Sequence, residues 1–437
     1  MSLLPDLTRS TADWTPARRR RAAVICAAVS VAVASIAVPR LGAIFDQTDA
    51  GYYVKIAAGQ PVMLPFASRQ LGPLLVRGLV HAFGISFHSG FLIEGTVAML
   101  VVFATVLWYL LHSGTPRFMI AATVGLFFWS CQFNDLVLPD LFYGALICVV
   151  LILLDRQRFL LAALMMLPLA VARESTLLTV VCLLIAGWRR LRIGEAAVAL
   201  ASTAAGMLIV RRLTANALPN REHISPVLYL FAKTPWTFLK NFTGIAPWSN
   251  VYPTLCAVPR WQLAVHLGPV HAVGVCRFDP NPPLLLLHYA LASFGLFPLL
   301  FLAVRRFRKP LAPQTGSAQE SPRAQIFLRF CVIYGVISFV VAGLLGETFQ
   351  RLFAYSWPLF VIALPILLTR ARVTFTSNPA AIAFLALHLA LSWCGFLRDE
   401  YVLIALEIPL WIGGWFLLRN TLKSTLPAAP KSAATVL

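Results

Sequence analysis

The stretch RRRRAAVICAAVSVAVASIAVPRLGAI, residues 18–44, decides the class of this protein. Four consecutive arginines, Arg18 to Arg21, run directly into an apolar segment from Ala22 to Ile44. A helix crosses the hydrocarbon core of a bilayer with about 20 apolar residues, so this segment is long enough to span. It is too long for the apolar part of a cleaved signal peptide and lacks a clear small-x-small cleavage site, so it reads as a retained first helix. Arginine clusters stay on the cytoplasmic side, which puts the N-terminus inside.

The rest of the chain repeats the pattern. Its 437 residues are 59% hydrophobic and only 12% charged, with a mean hydropathy of +0.78. A soluble domain carries about 25% charged residues, and half that leaves too little polar surface to face water. The formal net charge of +19 would suggest nucleic acid in a soluble protein. Here Arg and Lys fall in short clusters between apolar runs, as cytoplasmic anchors facing anionic lipid do. No basic and aromatic module of a nucleic-acid binder is present, so nucleic acid is not an expected partner.

Twelve apolar runs read as spanning helices, near 22–44, 91–111, 117–133, 138–154, 159–173, 175–188, 194–213, 285–304, 324–345, 351–369, 379–397 and 402–418. Alternating sides from an inside N-terminus places Arg117, Arg156 and Arg158, Arg189 to Arg192, Arg305 to Lys309 with Arg323, Arg370 and Arg372, and Arg419 with Lys423 all inside. These clusters falling on one side is the asymmetry expected of a correct topology. The expected fold is therefore all-α: a polytopic bundle of about twelve helices with both termini cytoplasmic in the plasma (inner) membrane. Residues 1–21 form a cytoplasmic tail. Residues 22–213 form an N-terminal membrane module whose first outer loop is 45–90. An extracytoplasmic loop spans 214–284, a C-terminal module 285–419 and a second cytoplasmic tail 420–437. The segment Arg69 to Ile85 is apolar but short, with Arg77 and His81 four apart on one face, and reads as a helix lying in the outer interface. The linker Pro310 to Pro322 and the tail after Leu426 have the composition of disordered segments.

Of eight cysteines, six lie in or beside apolar runs, where Cys acts as a small hydrophobe. Cys256 and Cys276 share the long polar loop, and an extracytoplasmic loop allows them to form a disulfide.

Function is to be sought among the acids, which in this topology collect at the outer boundary. Acids there are costly unless solvated or paired. Asp46 and Asp49 follow the first helix in FDQTDAGYY, ahead of Tyr52 and Tyr53, and Arg69 follows in PFASRQLGP. Arg69 can pair a phosphate or anchor the interfacial helix. Asp140, in NDLVLPD, opens a helix and can serve the site or only the helix dipole. Arg173-Glu174 interrupts two apolar runs and reads as a functional pair or as a structural ion pair. Glu347 and Arg351 stand four apart at the start of another helix and can pair with each other. Four separate turns thus deliver acid or Arg to one face, which is how bundle loops assemble a site.

Asp49-Ala-Gly-Tyr-Tyr, Pro65-Phe-x-x-Arg69-x-Leu-x-Pro73, Arg173-Glu174-Ser-Thr-Leu-Leu and Glu347-x-x-x-Arg351-Leu-Phe-x-Tyr-x-x-Pro358 together resemble the multi-spanning bacterial glycosyltransferases of the GT-C superfamily. The resemblance touches most of the membrane portion. It implies a polyprenyl-phosphate-linked sugar as donor, a glycan, lipid or protein acceptor, and transfer outside the membrane with inversion. It implies a carboxylate of the first outer loop as catalytic base, which falls on Asp49, with Asp46 as runner-up. It also implies donor or phosphate contacts at Tyr52, Arg69, Asp140, Arg173, Glu174, Glu347 and Arg351.

The residue types suit that chemistry on their own terms. Sugar transfer from a lipid phosphate needs a base for the acceptor hydroxyl and cations or helix N-termini for the leaving phosphate. The leaving group is already a phosphate ester, so neither a metal nor another cofactor is demanded. His266 and His271, five apart, have a poor metal spacing, and no P-loop, HExxH or GxSxG stands in a suitable context. Two other readings stay open. A transporter or flippase of lipid-linked glycans would place ionisable residues mid-membrane on broken helices. A polysaccharide polymerase or ligase would rely on the large loop, where Arg221, Glu222 and His223 stand.

Overall fold

In the computed structural model, residues 6–37, 49–126, 139–218, 234–251, 256–267, 270–305, 323, 325–345, 349–394 and 400–424 are described. Asp46, Asp135, Arg221 to His223, Glu347, Asp399, the linker 310–322 and the tail after Leu426 lie outside them, as does the side chain of Arg351.

The protein is mostly helical. Among the described residues, five helices are long and apolar enough to cross a membrane: Phe87–His112, Ile193–Leu213, Gln325–Leu344, Leu352–Arg370 and Val402–Thr421. A sixth span results if Asn281–Ala292 and Phe297–Val304, bent by 74°, count as one. Twelve spans are therefore not what the described helices supply. The run at 138–154 makes a 17-residue helix, Pro139–Asp155. The runs at 159–173, 175–188 and 379–397 give the shorter apolar helices Phe159–Ala172, Thr176–Ala186 and Asn378–Ser392. The first helix, Pro16–Ala37, begins with the four arginines inside it.

The single run expected over 285–304 is broken by Gly295. Its φ of +53° is open to glycine and strained for other residues. A Cβ there would also stand 2.5 Å from His388 Nδ1. His388 holds the break together. Its Nδ1 accepts from the Leu296 N–H at 3.0 Å, and its Nε2 therefore donates to the Ala122 carbonyl at 3.2 Å. One buried imidazole thus satisfies two backbone groups from two other segments.

Packing follows residue volume. Helix Phe87–His112 runs against Pro16–Ala37 and Pro139–Asp155, and Gln325–Leu345 against Thr176–Ala186 and the first part of the 358–370 helix. Trp357, Tyr334, Phe118, Phe294, Phe297, Phe330 and Phe384 are fully buried in this core.

Several basic connections are tied to neighbouring segments, beginning with the one around Arg117. The segment from Asp6 to Trp14 is docked there and is not a free tail. Ser10 bridges to Pro116, Leu7 N–H donates to Asn378 Oδ1 at 2.9 Å, and Arg18 and Arg117 both lie over the Trp14 ring. Arg323 bonds Glu195 at 2.5 Å and Arg190 bonds Gln325 at 3.0 Å. Val373–Phe375 pairs with Leu422–Ser424, which ties down the start of the expected C-terminal tail.

The expectation of an all-α chain is corrected in the 214–284 region. Strands Ile245–Ser249, Trp261–Leu267 and Val270–Phe278 form an antiparallel sheet with the last at its centre. The central strand alternates: Ala272, Gly274 and Cys276 are buried, while Val273 and Val275 are half-buried. Alternation of this kind is a two-residue period, which a helix cannot use. Cys256 is joined to Cys276, with their Cα atoms 5.9 Å apart.

Replacing His388 by Leu is expected to leave the Leu296 N–H and the Ala122 carbonyl without partners, at about 1–3 kcal/mol each. The loss reads out as a lowered unfolding temperature of the purified protein. A stability equal to wild type would show that the bend is not held by this side chain.

Candidate active site

Helix Ala50–Ala57 begins directly after Asp49, whose side chain does not cap it. Ala50, Tyr53, Ile56 and Ala57 are buried together with Val62, Val76 and Phe91, so this short helix lies on Leu71–Phe83 and Phe87–His112. Its C-terminal carbonyls are met by Arg77, whose Nε donates to Ala57 O and Nη2 to Ile56 O, both at 2.7 Å. A cation at a helix C-terminus also complements the dipole. Arg77, read from sequence as one face of an interfacial helix, is thus the clamp for the helix that carries Asp49. Helix Leu71–Phe83 ends at Gly84, in the left-handed conformation at φ +65°.

Tyr53 lies four residues beyond Asp49, about 6 Å along the helix axis at 1.5 Å per residue. Its hydroxyl accepts from Arg69 Nη1 at 2.7 Å. The other edge of the same guanidinium holds Glu174: Nη2 lies 2.7 Å from Oε1, and Nε lies 3.2 Å from each carboxylate oxygen. Ser68 Oγ stands 3.4 Å from Glu174 Oε2. A backbone bond from Gln70 N–H to Val171 O, 3.0 Å, brings the two segments together. The Arg69 side chain is 8% exposed and Glu174 47%, so the cation is buried and its acid faces outward.

The second ion pair is deeper. Arg173 donates to Asp140 Oδ1 and to the Tyr355 hydroxyl, and Tyr355 donates to the same Asp140 oxygen. The Arg173 and Asp140 side chains are 6% and 4% exposed. Tyr355 meets Tyr143 edge to face at 5.9 Å, and Tyr143 bonds Thr179 at 2.7 Å. Asp140 stands in the first turn of Pro139–Asp155, so the dipole role read from sequence and the ion-pair role coexist. Arg173 Nε has no hydrogen-bond partner among the described residues.

Arg173 and Glu174 do not pair with each other. Arg173, in extended conformation at the end of Met166–Ala172, sends its side chain to Asp140 while Glu174 goes to Arg69. The local ion pair is replaced by two long-range ones. Both arginines consequently arrive already neutralised by carboxylates, which the sequence did not reveal.

Electrostatics follow from the geometry. Burial works against the Glu174 charge, but Arg69 and then Arg173 outweigh it and hold the carboxyl low, at about 2. Burial pushes the Tyr53 hydroxyl up, against the nearby Arg69, so it stays protonated.

The structure brings Arg69, Glu174, Arg173 and Asp140 into one network. Tyr52 does not join it and instead stacks on Phe66, ring centroids 4.5 Å apart. Arg351 lies on helix Phe349–Ala354, four residues before Tyr355. Tyr53, Tyr143 and Tyr355 were given no role from sequence, although Tyr53 and Tyr355 lie inside the quoted motifs. Consecutive residues on a helix point about 100° apart, so only one of Tyr52 and Tyr53 can face Arg69. Among the described residues no group of three or more His, Cys, Asp or Glu can hold a metal ion. No family model, curated protein or solved structure matches this chain.

Two outcomes are expected. Asp140→Asn strands a buried guanidinium and should cost about 3–5 kcal/mol of stability, measured by denaturation in detergent. For Glu174 the folded value of about 2 lies below the ordinary 4.5, so its contribution is complete above pH 4.5 and disappears as pH falls toward 2. Wild type should therefore lose thermal stability over that window more steeply than Glu174→Gln. Parallel curves would remove the pair from the acid response.

Proposed function

We propose that this chain is a membrane glycosyltransferase that moves a sugar from a polyprenyl-phosphate donor to an acceptor hydroxyl at the extracytoplasmic face. The observation that carries this reading is the Tyr53–Arg69–Glu174 chain. It fixes helix Ala50–Ala57, which Asp49 precedes, to Arg69 and Glu174, and Glu174 is the chain neighbour of Arg173 in the buried pair with Asp140. Base-assisted displacement of a phosphate uses a carboxylate for the acceptor proton and a cation for the leaving oxygens, and Arg69 is bonded to the short helix that Asp49 precedes.

In this reading Asp49 takes the proton of the acceptor hydroxyl. The acceptor oxygen attacks the anomeric carbon from the face opposite the phosphate, the bond from that carbon to the phosphate oxygen breaks, and the electron pair leaves with the polyprenyl phosphate. One displacement inverts the anomeric centre. Arg69 supplies donors for the leaving oxygens, and the buried charge of Arg173 beneath it adds to the positive field on them. The apolar cavity of about 410 Å³ lined by Phe242, Leu286, Leu287, Phe339, Val340 and Phe353 suits a hydrocarbon chain.

A second reading has a specific observation in its favour. His288 Nδ1 lies 2.8 Å from Glu407 Oε1, with both side chains fully buried. His288 sits on the bent helix pair and Glu407 two residues before Pro409. Ionisable groups buried on broken helices are the mark of a transporter or flippase.

One comparison separates the two. Purified protein in nanodiscs, given polyprenyl-phosphate sugar and an acceptor, should form glycosidic product. Asp49→Asn should lower that rate by about 10²–10⁴-fold, the usual worth of a general base, with an unchanged unfolding temperature. Undiminished transfer by this variant would move the role to Asp46. Lipid-linked sugar crossing the bilayer without any product would establish the transporter.

A further inference from the structure

The Arg69 guanidinium is held in place without Glu174. Its Nη1 is fixed by the Tyr53 hydroxyl at 2.7 Å, and Tyr53 itself is buried in the cluster that seats helix Ala50–Ala57. The edge formed by Nε and Nη2 is left for a ligand with two oxygens, and Glu174 fills it in bidentate fashion. That edge suits a phosphate as well as a carboxylate, because both offer two oxygens at the spacing of the guanidinium fork. Ser68 Oγ borders the same position. The exposures differ: the cation is buried, whereas the acid is half-exposed and can swing into water once another anion takes its place on Arg69. The deeper pair has no such freedom, since Asp140 is as buried as Arg173.

From this asymmetry we infer that Glu174 is a resident competitor for an anionic ligand: it occupies the Arg69 fork in the empty site and is displaced when a phosphate group binds there. The inference rests on the proposed reading that a phosphate-bearing lipid is the substrate, and it adds how the site is kept closed to other anions and neutral when empty. An uncompensated buried guanidinium is strongly unfavourable. With Glu174 in place the site avoids that cost, and an incoming phosphate must out-compete a carboxylate already seated. A phosphate on a polyprenyl chain does so with the added binding of its tail, whereas inorganic phosphate has only the fork.

The test measures equilibrium binding to the full-length protein in phosphatidylcholine nanodiscs, with polyprenyl phosphate and inorganic phosphate as separate probes. Glu174→Gln should bind polyprenyl phosphate about tenfold more tightly than wild type, a difference of about 1.4 kcal/mol. Glu174→Asp, which keeps the charge but shortens the reach, should fall between them and guards against a folding defect in the first variant. Adding Arg69→Lys to Glu174→Gln should erase the gain. A measurable gain for inorganic phosphate alone, with none for the lipid, would overturn the inference by showing a free-anion site. Equal or weaker lipid binding by folded Glu174→Gln would also overturn it, and Glu174 would then be a ligand-supporting or purely structural residue. If wild type still transfers sugar in that case, the proposed function survives. Absence of both lipid binding and transfer in wild type would remove the proposed function as well.

Discussion

Arg173 carries its charge into a place where only 6% of its side chain meets solvent, and Asp140 makes that position tenable. A lone buried guanidinium would be several kcal/mol out of balance, and Arg cannot shed its proton to escape. Asp140 and the Tyr355 hydroxyl answer two of its donors. The consequence reaches far along the chain, because these three residues come from the start of Pro139–Asp155, the joint after Met166–Ala172, and the turn after Phe349–Ala354. The joint at residues 173–175 cannot move without breaking this pair, and the next residue, Glu174, is thereby presented to Arg69.

The second pair inherits its position from the first. Arg69 reaches Glu174, Tyr53 reaches Arg69, and Arg77 clamps the far end of the helix that Tyr53 belongs to. The short helix after Asp49 is too short to be stable alone, since isolated helices below about 12 residues are marginal in water. It exists because its apolar side is buried and its polar contacts are supplied by other segments. A rigid platform under a candidate base is what a displacement reaction gains from such an arrangement. The two ion pairs differ in what they permit: one is sealed, and the other has an acid at the surface that can exchange.

Much of the fold was legible in local composition. Apolar runs at 91–111, 194–213, 324–345, 351–369 and 402–418 correspond to the five long helices, and the interruption at Arg173-Glu174 falls where one helix stops and another starts. The break at Gly295 was not legible, because a single glycine inside an apolar run costs only about 1 kcal/mol in a helix and its meaning depends on His388, 93 residues away. The sheet in the 214–284 region was missed because the region reads as one long polar loop and its strands pair across it. Within the site, Asp140, Arg69, Arg173 and Glu174 could be picked out as charges at apolar boundaries. Their pairing could not, because the nearest local pairing, Arg173 with Glu174, is the one the structure does not use.

The amino-acid sequence by itself determined that this is a helical protein with membrane-length apolar segments, with most of its charges set between those segments. Those properties are sums over neighbours along the chain, and hydrophobic transfer acts on each segment separately. Tertiary structure alone decided which acid neutralises which arginine. The partners of Arg173, Arg69 and Asp140 stand 33, 105 and 215 positions away in the chain. Coulomb attraction in a buried site depends on the distance after folding, and only packing brings those turns within hydrogen-bonding reach.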